Sequence, residues 1–484
     1  MRYSLLFMLL CLLGITTGIC QKDTIWIKHD KCESKIKWKH KYHQTLTIKL
    51  MLATCEFDGE YKRSDNDENM VFLTINDAFE VIKKIDRVTL GIPKIIYLVG
   101  WQYNGHDSMY PAWFEGNERL KRPQDKNTLE SIRWLMNESQ KYNTTISLHI
   151  NMFDAYEDSP LWNTYVANDI IARNEDGSLL AGEWGYPISY AQEWETGLAQ
   201  QRIDSLCNLL PLKEAGTVHI DAFHTWPPVP VKDEKGEFRI DIKRSKISPY
   251  LDFTVADETE AQEKIFRYWA QKGIDVTSEG VGFLRETSFE GFQPMAWWFS
   301  DGLESYIKWP ASYYCGGQDN SVWGKLFGTS MHGESIVKND PVGLNGFAGD
   351  FCLKTLPWYY LNRLERIFVV DNDEGKTVSY EGDVMSQFKD KSLTITKGKR
   401  LLLENGDLLM PALWIDEPQL VAYSENGYEL RKWILPKSWP GNVKVELWEV
   451  GIEGLKRIGS NRAKGHQLTL TLKPGQMLII KQKE

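Results

Sequence analysis

The sequence predicts an α/β fold: a (β/α)8 TIM-type barrel with a short N-terminal β lead-in and a C-terminal β-sandwich. Three observations carry this. Apolar runs of the buried-strand type alternate with amphipathic helical spacing across residues 74–371, as a parallel sheet wrapped by crossover helices requires. Within a β-rich lead-in at 21–73, residues 23 to about 57 alternate in strand fashion, and residues 372–484 show short strands separated by turn residues. The 484 residues suit two or three domains, and 42% hydrophobic against 25% charged residues is a globular balance.

Residues 1–20 read as a secretory signal. Arg2 supplies the positive end, and Leu5 to Ile15 form an apolar run too short to span a bilayer comfortably. The polar stretch from Gln21 follows, so cleavage near Cys20 and a secreted or periplasmic location are expected. Ile19 occupies the place where a lipoprotein signal wants a small residue, which disfavours but leaves open a lipid anchor at Cys20, the only membrane association expected. No later segment has the length and apolarity of a membrane span.

In the lead-in, Thr24–Lys28 and Thr45–Leu50 alternate as strands. Residues 58–69 are polar and read as a loop. Asn76–Val88 has helical spacing at Ala78, Phe79, Ile82 and Ile85, with Asn76 or Asp77 as cap. Strands are then expected at Lys94–Gly100, Thr145–Asn151, Val218–Asp221, Ile274–Glu279 and Met295–Ser300. Helices are expected at about 127–142, 196–210 and 258–271. A doubly wound sheet is the competing architecture, but no glycine-rich phosphate loop follows the first strand. Past Asp371, short strands recur at 393–396, 400–403, 420–423, 443–448, 468–472 and 477–481, which is the sandwich pattern.

Composition excludes some function classes. A net charge of −9 with no basic patch argues against a nucleic-acid partner. The 19 Trp and 21 Tyr offer flat faces for sugar rings, although most of them can equally fill a core. Beyond Cys11 and Cys20, the cysteines at 32, 55, 207, 315 and 352 fit no zinc pattern and no disulfide framework. Cys32 and Cys55 can pair in an oxidising compartment, and buried small hydrophobes are the alternative. No metal or cofactor is expected.

In a barrel, functional residues sit at the carboxyl ends of strands. That rule selects Trp101, His106 and Asp107 after the first apolar strand, and His149 and Asn151 at the end of the next. Asp221 follows with His224 and Trp226 just beyond it, then Glu279, then Trp298 and Asp301. Glycoside cleavage needs two carboxyl groups flanking one bond, and Asp221 and Glu279 end consecutive strands. Their long separation is explained by a Pro-, Lys- and Asp-rich insertion at 227–253. An acid at a strand end can instead bind a metal or cap a helix.

These residues also carry a family resemblance. Gly91-Ile92-Pro93-Lys94 leads to Trp101-Gln102-Tyr103-Asn104-Gly105-His106-Asp107. Leu148-His149-Ile150-Asn151, Trp184 with Tyr190, His219-Ile220-Asp221 and Thr277-Ser278-Glu279 follow in order. The ensemble, over roughly 75–370, resembles the endo-α-N-acetylgalactosaminidases of glycoside hydrolase family 101. The resemblance implies a retaining enzyme that releases Gal-β1,3-GalNAc from Ser or Thr of mucin-type glycoproteins. It implies Asp221 as nucleophile, Glu279 as acid/base, Asp107 as a holder of sugar hydroxyls and Trp184 as part of an aromatic lid. Members of that family are usually far larger, and the 227–253 insertion is unfamiliar among them.

The remaining candidates carry two readings each. His149 and Asn151 suit either a hydrogen-bonded layer inside the barrel mouth or sugar contact. His224 and Trp226 suit a site wall. Trp297 and Trp298 alternate faces, so one at most faces the pocket. The leading expectation is a secreted hydrolase of α-linked GalNAc acting on an O-glycan or glycoprotein. The rivals are an exo-acting α-galactosidase or α-N-acetylgalactosaminidase, and a non-catalytic carbohydrate-binding protein on a degenerate barrel.

Overall fold

The computed structural model describes residues 24–28, 35–54, 71–182, 185–223, 228–278, 291–296, 303–307, 309–316, 322–328, 331–332, 340 and 343–483. Its N-terminal part is built on parallel strands. These are β2 (Leu46–Met51), β3 (Lys94–Val99), β4 (Thr144–Asn151), β5 (Thr217–Asp221), β6 (Asp275–Ser278), β7 (Met295–Ala296), β8 (Tyr314–Gly316) and β9 (Met331–His332). A six-stranded sheet has the order β6-β5-β4-β3-β2-β9, and β7 pairs in parallel with β8 separately. The last strand, β9, thus pairs in parallel with β2.

Side-chain alternation explains why nearly every residue of β2 to β6 is buried. On β4, Ile146, Leu148 and Ile150 join the core cluster that includes the helices α1 (Ile75–Val88), α2 (Thr128–Glu138), α3 (Leu198–Leu209) and α4 (Val255–Gln271). Ser147, His149 and Asn151 occupy the other face and are equally buried. That face is polar and internally bonded near the amino ends of the strands. The Tyr42 and Tyr97 hydroxyls both bond Thr217 Oγ1, and Asp275 accepts from the Tyr42 hydroxyl and from the Lys39 amide.

Two local expectations are corrected. The cap of α1 is Thr74, not Asn76 or Asp77: Thr74 Oγ1 accepts from the Asp77 amide while Asp77 Oδ2 accepts from the Thr74 amide. Such a reciprocal box is worth about 1 kcal/mol. The strands of the lead-in also part company. β2 is a member of the parallel sheet, whereas β1 (Thr24–Trp26) pairs antiparallel with Arg366–Asn372.

The C-terminal region is β-rich, but most of it is one eleven-stranded antiparallel sheet and not a plain two-sheet sandwich. Successive short hairpins from Arg366 to Ser424 keep neighbours side by side. A second layer exists where the pair Tyr428–Ile434 and Gln467–Leu472 covers a core of Trp433, Leu468, Leu470, Leu420, Val445 and Ile480. The sheet is tied to the parallel-stranded half: Trp414 Nε1 donates to the Leu90 carbonyl at 3.0 Å, and Arg87 donates to the Ile452 carbonyl at 3.1 Å.

Candidate active site

The segment after β3 turns sharply because two glycines let it. Gly100 has φ +72° and passes so close to Ala53 that an added Cβ would lie 1.7 Å from that carbonyl oxygen. Gly105, at φ +124°, would collide with Ala53 and Thr54. The His106 amide then donates to the Ala53 carbonyl at 2.9 Å. His106 and Asp107 are thereby fixed at the carboxyl edge of the sheet, with Asp107 itself at φ +57°, a conformation that Asp tolerates better than most residues. His106 Nδ1 lies 3.4 Å from Asp107 Oδ1.

At the end of β4, Asn151 makes an Asx turn. Its Oδ1 accepts from the Phe153 and Asp154 amides at 2.7 and 2.8 Å. Its Nδ2 donates to Asp154 Oδ2 at 2.6 Å. Asp154 is buried, and its carboxyl is pushed up to about 7, first by burial and then by the charge of Asp107, with Asp221 adding a smaller push; the Asn151 hydrogen bond pulls the other way. Three carboxyl groups therefore share one electrostatic neighbourhood. The buried phenols of Tyr110 and Tyr156 border it, each held well above its usual range by burial and then by Asp107.

Asp221 ends β5, directly opposite Asn151 in the strand register, as His219 stands opposite His149. Its Oδ2 is 3.2 Å from His149 Nε2, and its side chain retains 15% exposure where that of His149 has none. A row of rings supports this contact: His106 meets His149 edge-on at 5.1 Å, and His149 stacks on His219 at 5.3 Å. His219 Nδ1 is in turn 2.8 Å from Thr277 Oγ1 on β6. The next residue, Ala222, is at φ +45°, strained backbone of the kind that collects at functional sites. His106, His149 and Asp221 each offer a ligand atom within 4.8 Å of the others, so the same three side chains have the chemistry to hold a divalent cation.

Beneath the site lies a buried scaffold. Arg202 of α3 pairs with Glu193 at 2.6 Å and donates to the carbonyls of Pro111, at 3.1 Å, and Asn151, at 3.4 Å. One guanidinium therefore ties the loop after β3 to the end of β4. Trp101 belongs to this layer too. It is fully buried, and its Nε1 donates to the His149 carbonyl at 3.0 Å. The expectation that Trp101 touches sugar is corrected: its indole fixes the backbone of His149.

Of the other expected residues, His106, Asp107, His149, Asn151 and Asp221 come together at this edge. His149 and Asn151 lie on the internal face of the sheet, 0% and 1% exposed, and Asn151 is hydrogen-bonded there. Glu279, Trp184, His224, Trp226, Trp298 and Asp301 lie outside the described residues, as does the Cys32–Cys55 pair. Asp154 was not anticipated. Its only sequence signal is the Asn-x-x-Asp spacing that follows the strand.

With that geometry in place, the comparison with known proteins is specific. Residues 69–274 match the family model described as endo-alpha-N-acetylgalactosaminidase of glycoside hydrolase family 101. This segment resembles that family. The matched segment contains Asp107, Asp154 and Asp221 but ends before Glu279. No curated protein sequence matches the chain. Among solved structures, an alpha-N-acetylgalactosaminidase from Bifidobacterium bifidum in complex with GalNAc is 10% identical, covering 74% of this chain and 58% of its own, with a TM-score of 0.48. An alpha-amylase from Geobacillus thermoleovorans complexed with acarbose is 9% identical, with 92% and 100% covered and a TM-score of 0.43. A GH36 alpha-galactosidase from Geobacillus stearothermophilus is 13% identical, with 91% and 55% covered and a TM-score of 0.42. The chain thus spans a little over half the length of the bifidobacterial enzyme, and similarity at these scores says nothing of substrate.

Proposed function

We propose that the chain is a retaining glycoside hydrolase that cleaves α-linked GalNAc from O-glycans, with Asp221 as nucleophile and Glu279 as acid/base. The observation that carries the reading is the Asp221 carboxylate, partly open at the carboxyl edge of the parallel sheet and 3.2 Å from His149 Nε2. Glu279 follows directly on the strand whose Thr277 faces His219 in the sequence Thr277-Ser278-Glu279. In the first step an Asp221 oxygen attacks the anomeric carbon, the bond to the aglycone oxygen breaks, and Glu279 protonates that oxygen. In the second, Glu279 takes a proton from water, which displaces Asp221. Asp107, whose side chain is 34% exposed, is suited to bond sugar hydroxyls.

The reading includes a closed barrel, in which β7 and β8 complete the ring between β6 and β9. The pairing of β9 with β2 supports it. It also includes export through the 1–20 leader and a mucin-type glycoprotein as substrate.

Product analysis tests this with aryl α-glycosides and a desialylated mucin. Disaccharide release is expected. Monosaccharide alone favours the exo-acting rival, and no product from any α-linked substrate overturns the assignment in favour of a binding protein. The His106, His149 and Asp221 donor set motivates a second reading, metal-assisted hydrolysis. A chelator distinguishes them: the retaining mechanism expects unchanged turnover.

A further inference from the structure

A cavity of about 440 Å³ lies at the junction of the two halves, away from the residues just described. Its wall comes from the end of the Leu356–Leu361 helix, the ends of four sheet strands and the segment preceding Trp439. That volume falls within the roughly 300–1,000 Å³ of small-molecule sites.

The wall is cationic on an anionic protein. Arg363, Lys397 and Arg400 line it against a single carboxylate, Asp416, whereas the whole chain carries −9. Arg400 is the unusual member. It is half-buried, and burial pulls its guanidinium below its ordinary value, with only the Tyr360 phenol acting in the opposite direction. Among the described residues it has no ion pair and no side-chain hydrogen bond. A guanidinium taken from water without a partner is costly, and five fixed donors facing a cavity are suited to a planar carboxylate. Arg363 is different: it is already engaged by Gln44 Oε1 and the Tyr359 hydroxyl. Leu413, 40% exposed, gives the same cavity an apolar wall, edged by the largely buried Trp439 and Tyr360 rings.

We propose that this cavity is a second glycan site that takes a sugar bearing a carboxylate, with Arg400 as the anion clamp and the Leu413, Tyr360 and Trp439 wall receiving the ring's apolar face. The site is separate from the catalytic carboxylates and stands independently of the reaction proposed for them. A terminal acidic sugar held there would tether the enzyme to a charged glycan while the other site works on its neighbours.

The test titrates the full chain with N-acetylneuraminic acid, glucuronic acid, neutral galactose and inorganic sulfate, by calorimetry or ligand-observed NMR. Expected are at least tenfold tighter binding of the two acidic sugars than of galactose, weakening as salt rises, and loss of that preference in Arg400→Gln. Asp221→Asn should keep it, and Arg400→Gln should hydrolyse an aryl glycoside like the wild type. Arg400→Met adds a readout that a merely structural arginine would fail: removing a half-buried charge without a partner should leave the melting temperature unchanged or higher. Equal binding of galactose and the acidic sugars overturns the proposal. So does an acidic-sugar preference that survives Arg400→Gln, sulfate binding as tight as that of the sugars, or a lowered melting temperature in Arg400→Met.

Discussion

His149 Nε2 sits 3.2 Å from Asp221 Oδ2, and the carbonyl of the same His149 accepts the indole N–H of Trp101 at 3.0 Å. The residue that steadies the carboxylate is thus itself held from its backbone by a fully buried ring. The arrangement separates chemistry from positioning, and the two should respond differently to substitution. Asp221→Asn is expected to lower kcat by roughly 1,000-fold or more with KM little changed, because the covalent route is lost. Trp101→Phe leaves a buried carbonyl without its donor, at about 1–3 kcal/mol of stability, and should lower kcat without abolishing it. Steady-state kinetics and thermal melts on both variants separate these roles; wild-type turnover in folded Asp221→Asn removes the nucleophile.

Asp154 makes stability depend on pH. Its carboxyl titrates at about 7 in the fold, above its ordinary 3.8. The folded chain therefore holds a proton that the unfolded chain has already released, and stability falls as pH rises from about 4 to about 7, then levels. Asp154→Asn lacks this proton, and its amide can still accept from Asn151. The variant should match the wild type near pH 4 and exceed it at pH 8, by an amount on the order of a few kcal/mol. Buried Glu258 also titrates at about 7, so the wild-type slope alone is not diagnostic and the difference between the two proteins is the measurement. Parallel melting curves from pH 4 to 8 would contradict the burial of Asp154 as a protonated acid.

The turn that delivers His106 and Asp107 depends on Gly100. Its Cβ position falls 1.7 Å from the Ala53 oxygen, a backbone atom that cannot swing aside. Gly100→Ala is expected to cost more than about 3 kcal/mol, since overpacking adds to the left-handed backbone strain. Gly236→Ala is the control: its φ is also positive, +81°, but nothing lies within 4 Å, so about 1–2 kcal/mol is expected. Chemical denaturation of both variants reads the difference, and equal costs would mean that the close approach to Ala53 does not matter.

The sequence made the parallel strands and the Asp107, His149, Asn151 and Asp221 edge legible because apolar runs and strand ends are local signals. It was less informative where the cause is tertiary. Thr47 and Lys49 made 45–50 look like a half-exposed strand of a lead-in. Both are buried, at 0% and 3%, because the inside of this sheet is polar, so alternation there reports an internal face and not solvent. Trp101 looked like a sugar platform because an indole's composition does not reveal its burial. Asp154 went unread, since nothing local tells that Asp107 and Asp221 approach it from other strands.

Glu279 is the residue whose role can be tested beyond mere importance. An acid/base protonates the leaving oxygen in the first step and deprotonates water in the second. Glu279→Ala should therefore be slow on substrates with poor leaving groups, and comparatively fast in the first step on aryl glycosides whose leaving group needs no proton. The glycosyl-enzyme would then accumulate on Asp221. Azide, which needs no general base, should restore turnover and yield an α-glycosyl azide, because two inversions at the anomeric carbon return the starting configuration. A β-configured azide product points instead to single displacement. In that case Asp221 would act as a base, with the two carboxyl groups roughly 6.5–9.5 Å apart instead of about 5–5.5 Å. Absence of any rescue in a folded Glu279→Ala protein that still binds substrate would move the acid/base role to another carboxyl, with Asp154, whose carboxyl is pushed up to about 7, the first to examine.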